Sequence, residues 1–362
     1  MYRYFCTRCA TGSLWATLFA LAFILNAADV SANATGGVYY LATPDQRSIP
    51  DSVLNNPNVD GIAYRATWRA LEPRDGVFNL SEIDNALTLA ASSGKRLSLM
   101  VQAGHTTPSW VYFDGAATFH FIWDQNHGPA LCSNTKIPIP WDAIFQVKWA
   151  KLVQTLGQHY DSNPTLAFVY LTGINGVSGE TSLPANNGNN PIYDIKGSVL
   201  CTSNNDTWRW QTLGYTRLRV ESAWSQIVNY YAASFPAKRW IAPLVPGSFP
   251  PLDNYGHLLA LATRYSYDTQ VHRDVLSIGV TNYRAHFGAR NAGLTDTYIM
   301  KDIVDVSPYV PTGQQTLSAL GARLPGAVDL AVTNHSDFLE LYPDDIEDPR
   351  AQDTLEYVHG IL

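Results

Sequence analysis

Apolar positions along this chain alternate between two patterns. Short runs rich in β-branched and aromatic residues recur as GVYYLAT from Gly37, GIAYRATW from Gly61, RLSLMVQAG up to His105, TLAFVYLTG, RWIAPLVPG from Arg239, DVLSIGVTNY from Asp274 and DFLELYP from Asp337. Each reads as a strand, and a further one is expected between Ile303 and Gln315. Between them, apolar residues fall at helical spacing. Ile83, Ala86, Leu87 and Ala90 form one stripe, with Asn79 and Glu82 as a capping box and Gly94 as the stop. Phe145, Trp149, Leu152 and Leu156 form another, capped by Asp142, and Val220, Ala223, Trp224, Ile227, Val228 and Tyr231 a third, ended by Pro236. Strand–helix alternation implies a parallel sheet. Eight alternations with no second starting point favour a single (β/α)8 barrel over a doubly wound sheet. The long loops after strands three and four then lie on the face where barrel active sites form.

Outside this pattern, Arg3 and Arg8 precede SLWATLFALAFIL and a small-residue site ending at Ala34. This reads as a signal peptide over 1–34, leaving one domain over 35–362 that is secreted or periplasmic and free of the membrane after cleavage. Of four cysteines, only Cys132 and Cys201 then remain, one in each long loop, and an exported pair is most simply a disulfide. Net charge is −7 with no basic cluster, which removes nucleic acid as a partner. Aromatic residues make up 12%, many beside Gly, Pro and Asn, as suits a groove that stacks on flat uncharged ligands. The nine histidines are scattered without metal-ligand spacing, so neither metal nor cofactor is expected. The chain is expected to be a monomer.

Seven glutamates narrow the search for chemistry. Glu82 caps a helix, Glu221 lies on one, Glu347 and Glu356 sit in a polar tail, and Glu72 opens the turn EPRDG. Glu180 remains at the end of LTGINGVSGE, directly after strand four, and Glu340 within strand eight. In DFLELYP, Leu339 and Leu341 should face the helices, so Glu340 points inward, where a carboxylate needs a partner or a task. Two carboxylates at one groove are what glycosidic bond cleavage requires. Arg65 would hold a carboxylate ionised or pair with Glu340 structurally. His105 and Asn175 would bond hydroxyls, with turn formation the alternative for Asn175. Asn282 would orient a hydroxyl or Glu180. Trp68, Trp110 and Tyr283 would stack on sugar or pack in the core.

The segments GIAYRATWRALEPRDGVFNLSEID, PIPWD, VYLTGINGVSGETSLP and FLELYPDDI resemble secreted TIM-barrel glycoside hydrolases of clan A, the group holding β-galactosidases and cellulases. The resemblance implies an O-glycosidase acting on an oligo- or polysaccharide, with Glu180 as general acid/base. The clan places Asn directly before that glutamate, whereas Asn175 lies five positions earlier here. It also places its nucleophile after strand seven, where this chain offers only Gln314 and Gln315. Glu340 is the expected nucleophile or base, with Asp337 and Asp344 behind it. The alternative is a non-catalytic carbohydrate-binding barrel that has lost the nucleophile. GVSGE also approaches a serine-hydrolase elbow, but Glu180 stands where that motif needs Gly.

Overall fold

The computed structural model describes residues 35–42, 48–124, 130–194, 196–247, 249–260, 267–293 and 297–362. The signal segment expected over 1–34 lies outside them. Eight strands close into a barrel in which every neighbour is parallel: β1 (Gly37–Leu41), β2 (Gly61–Thr67), β3 (Arg96–Gln102), β4 (Leu166–Tyr170), β5 (Arg239–Leu244), β6 (Phe287–Ala292), β7 (Thr312–Gln315) and β8 (Phe338–Leu341), with β8 returning to β1. The outer layer includes α1 (Ser81–Ser92), α2 (Ala143–Tyr160), α4 (Arg217–Ser234), α5 (Gln270–Tyr283), α6 (Tyr298–Val306), α7 (Leu324–Thr333) and α8 (Gln352–His359), while α3 (Asp206–Thr212) belongs to the insertion after β4. The single (β/α)8 barrel expected from the pattern is the fold observed. The three helical stripes are buried as expected, and Asp142 caps α2 by accepting from the Phe145 amide at 2.9 Å.

Three local readings are corrected. DVLSIGVTNY is the body of α5: Val271, His272, Val275, Leu276 and Gly279 are buried at helical spacing, and that periodicity overrides the strand propensity of its β-branched residues. The sixth strand is the next segment, FGARNA. Its inward positions are Gly288 and Arg290, so it shows no apolar alternation. The capping box at Asn79 is not formed, because α1 starts at Ser81 and Asn79 accepts from the Ser81 amide and hydroxyl just ahead of it.

Inside the barrel, Tyr39, Phe168, Ile241 and Phe338 form one cluster, with the Tyr39 ring meeting those of Phe168 and Phe338 edge to face and the two phenylalanine rings tilted against each other. Small inward residues make room for them. A Cβ on Gly313 would sit 2.3 Å from the Phe338 ring, and one on Gly288 2.5 Å from Ile241. Leu339 and Leu341 face the helices and Glu340 faces inward, the orientation read from the alternation in β8.

The insertion after β3 carries a hairpin, Thr118–Ile122 with Asn134–Pro138, and the one after β4 a second, Pro191–Tyr193 with Val199–Thr202. A Cys132–Cys201 disulfide spanning 69 residues joins them, Cα to Cα 5.9 Å. Trp210 of α3 stacks on Phe119 of the first hairpin at 3.8 Å, so the two insertions also share an apolar seam. Reducing the disulfide releases a long loop to the unfolded chain and is expected to cost roughly 4 kcal/mol on the loop-entropy scale. The check is urea unfolding with and without reductant, with Cys201→Ser as the permanent form.

Candidate active site

Glycines and one asparagine shape the loop that carries Glu180. The Asn175 side chain accepts from the Gly173 amide at 2.7 Å and donates to the Gly179 and Glu180 carbonyls at 2.6 and 2.9 Å. Its turn-forming role is the one observed, and it clamps the backbone on both sides of the acid. The Thr181 amide then bonds the Pro243 carbonyl beyond the middle of β5 at 2.7 Å. From the other side, Gly104 at φ +47 brings its turn so close that a Cβ there would lie 2.2 Å from the Gly176 carbonyl oxygen. A side chain at Gly179 would strike the Met100 sulfur at 1.9 Å. These glycines serve close approach of backbone to core rather than flexibility.

The loop delivers the Glu180 carboxylate into the barrel mouth, 5% exposed. Its Oε1 receives Arg290 Nη2 at 3.1 Å and Arg65 Nη2 at 3.4 Å. Both arginines also donate to Gln315 Oε1 at the end of β7, at 2.6 and 2.5 Å. Arg290 Nε stands 3.4 Å from Glu340 Oε2, an electrostatic contact without hydrogen-bond geometry. The other Glu340 oxygen accepts from the Tyr170 hydroxyl, and the Arg290 guanidinium lies 5.2 Å from the Tyr170 ring centroid. Because one planar guanidinium touches both glutamates, their facing oxygens lie within about 9 Å of each other. Arg65 therefore pairs with Glu180 instead of Glu340.

Burial would raise the Glu180 pKa, but Arg65, Arg290 and a hydrogen bond from Ser178 outweigh it and hold the group at about 2, against an ordinary 4.5. Glu180 thus rests ionised. Burial and the neighbouring Glu340 push the Tyr170 phenol well above its ordinary value, so it keeps its proton. A carboxyl depressed on folding contributes stability that is complete above its unfolded pKa and is lost as pH falls through the folded value. Acid unfolding should therefore show a component between about pH 4.5 and 2 that disappears in Glu180→Gln, measured as stability against pH in urea.

Other expected site residues are placed differently. Trp68 is fully buried among Trp110, Phe145 and Trp149 and donates to Glu72, so it is core, since β2 ends one residue earlier and a short helix turns the ring inward. Trp110 is half-buried against it, donates to the Glu72 carbonyl and lies under the Lys148 ammonium. Asn282 and Tyr283 sit at the end of α5 in the outer layer, and Tyr283 bonds Asn229 and packs on Trp240, because their segment is a helix. Asp337 immediately precedes β8 at the opposite end and accepts from the Thr312 amide. His105 stays beside the site: its amide bonds the Gly176 carbonyl and its ring meets Trp123 edge-on, while burial and Arg69 lower its pKa. Sequence reasoning missed Arg290 and Tyr170. An arginine between alanine and asparagine in a short strand, and a tyrosine ending an apolar one, are signals visible only once the strand is assigned.

The closed barrel is a TIM barrel, and its segment from before β2 to the start of the Glu180 loop is similar to a glycoside hydrolase family, which points to a glycosidase. Residues 56–173 match glycoside hydrolase family 42, described as β-galactosidase, a segment running from before β2 to the first residues of the Glu180 loop. No curated protein matches the chain. Among solved structures, the catalytic domain of a β-amylase from Paenibacillus polymyxa shares the fold, with a TM-score of 0.57 and 11% identity over 87% of this chain and 94% of that one. Weaker likenesses are an exo-β-1,4-mannosidase from Opitutaceae bacterium strain TAV5 (TM-score 0.48, 10% identity, 90% of this chain and 60% of that one) and an intracellular xylanase from Thermoanaerobacterium saccharolyticum (0.47, 12%, 86% of each).

Proposed function

We propose that the chain is an exported enzyme that hydrolyses O-glycosidic bonds of an oligo- or polysaccharide with Glu180 and Glu340 as its carboxylates. The observation that carries this is the shared guanidinium of Arg290, which brings a glutamate of the loop after β4 and one of β8 to one mouth, with their facing oxygens no farther apart than such chemistry allows. The electrostatics favour a division of labour other than the one expected from the sequence. Glu180, held ionised, acts as nucleophile or general base. Glu340 is the second carboxyl, hydrogen-bonded to a phenol that retains its proton, so that the Tyr170–Glu340 pair keeps one proton in the mouth. Export rests on the N-terminal pattern, with support from the disulfide, and among the described residues no helix is long and apolar enough to cross a membrane.

One observation favours the second reading, a barrel that binds carbohydrate without cleaving it. Gln315, not a carboxylate, stands at the end of β7 between the two arginines. Product release from a panel of aryl glycosides and polysaccharides separates the readings. Hydrolysis lost in both Glu180→Gln and Glu340→Gln supports the enzyme, whereas saturable binding with no product from any substrate supports the binding barrel.

A further inference from the structure

A second polar cavity lies beside the Glu180 loop, in the seam between the two insertions. It measures about 150 Å³, and Asp124, Asn186, Asp206, Ser182, Tyr267 and Phe121 contribute to its wall. Asp124 comes from the first insertion, Asn186 and Asp206 from the second. The seam is held by the disulfide and by Trp210 on Phe119, and within the second insertion the Trp210 indole donates to the Pro184 carbonyl at 2.8 Å. Asn186 donates to Asp124 Oδ2 at 2.6 Å and also serves Asp206 through its amide and side chain. Asp206 is 1% exposed, yet its Oδ1 has no hydrogen-bond partner among the described residues. A buried carboxyl oxygen left unpaired in a cavity wall wants a ligand group.

We propose that this cavity is a sugar-binding subsite distinct from the Glu180 mouth, taking the hydroxyl groups of one neutral monosaccharide unit on Asp206, Asp124 and Asn186. The volume is well below that of a drug-sized pocket and suits a single ring rather than a chain. Two acidic side chains disfavour an anionic ligand. Burial, then the neighbouring Asp124, push the Asp206 carboxyl up to about 8, while Asn186 and Arg209 pull the other way. At neutral pH it is therefore an uncharged acid, with one donor and spare acceptor capacity, the complement of a hydroxyl. Tyr267 and Phe121 contribute aromatic surface to the same wall, the kind that packs on the C–H face of a sugar. The proposal rests on the carbohydrate-active reading above but needs no turnover.

The test is titration of the Glu180→Gln protein with D-galactose, D-glucose, D-mannose and D-xylose, and with D-glucosamine as the cationic comparison, by saturation-transfer NMR and calorimetry, in the presence and absence of further changes at Asp206. At least one sugar should bind near neutral pH. Asp206→Ala should weaken it roughly tenfold, and Asp206→Asn, which keeps a donor and an acceptor, by less. With Asp206 intact, affinity should fall as pH rises past about 8, and the Asn variant should show no such fall. If Asp206→Ala does not fold, that pH comparison decides. Failure of all four sugars to bind, unchanged affinity in Asp206→Ala, or preferential binding of D-glucosamine, which would mark a cation site, overturns the proposal. Hydrolysis surviving in Glu180→Gln would overturn the catalytic reading and leave the subsite standing.

Discussion

Glu180→Gln is expected to lower kcat/KM for a cleaved glycoside by roughly 10³-fold, the usual range for losing a positioned proton-transfer group. The change is nearly isosteric, so the loop clamped by Asn175 should hold its shape, and the new amide oxygen can still accept from a guanidinium. What disappears is the negative charge that Arg65 and Arg290 hold in place. The variant must therefore be compared with wild type for folding by circular dichroism, so that a lost charge is not confused with a lost structure. Glu340→Gln should also reduce activity, by a different route, since it removes the contact that centres Arg290 between the two acids. Unchanged turnover in Glu180→Gln would remove Glu180 from the chemistry.

The second large effect is on stability. Arg290 is completely buried and faces Glu180, Glu340, Gln315 and Tyr170. Arg290→Met is expected to cost about 3–5 kcal/mol, because it leaves buried carboxylates without compensation. Arg65 remains beside Glu180 at 3.4 Å, so Glu340 bears most of the penalty. Arg290→Lys should recover little of it, as a compact ammonium cannot reach two acids and Gln315 as the planar fork does. The pKa of Glu180 should rise in both variants, moving the acid-unfolding component upward in pH. Urea unfolding at neutral and acid pH measures both effects, and a loss under about 1 kcal/mol in Arg290→Met would show that the network is not held by this residue.

How far the site could be read from the sequence follows from what each residue's neighbours are. Glu180 was accessible because it sits at a loop after a recognisable strand, and the inward direction of Glu340 because strand alternation is a property of consecutive residues. The disulfide is accessible because Cys132 and Cys201 are the two thiols outside the N-terminal segment. Arg290 is hidden in the sequence because its strand lacks an apolar pattern, while the strand-like run of β-branched residues lies in the helix before it. Read as a strand, that run carries Asn282 and Tyr283 from the outer layer to the mouth. Trp68 was misplaced because an aromatic at a strand end can turn either way, and only the packing of Phe145 and Trp149 decides.

By itself the sequence determined the alternation, hence the closed parallel barrel, the loops that crown it and the two glutamates aimed at its mouth. All of these depend on spacing along one chain. Only the tertiary structure decided the charge state of Glu180, the partner of Glu340 and the presence of Gln315 between the arginines. Residues 65, 180, 290, 315 and 340 come from different strands and loops, and the field each one feels is made by groups that closure of the barrel brings together. Electrostatic roles are set by that proximity, which no local pattern records.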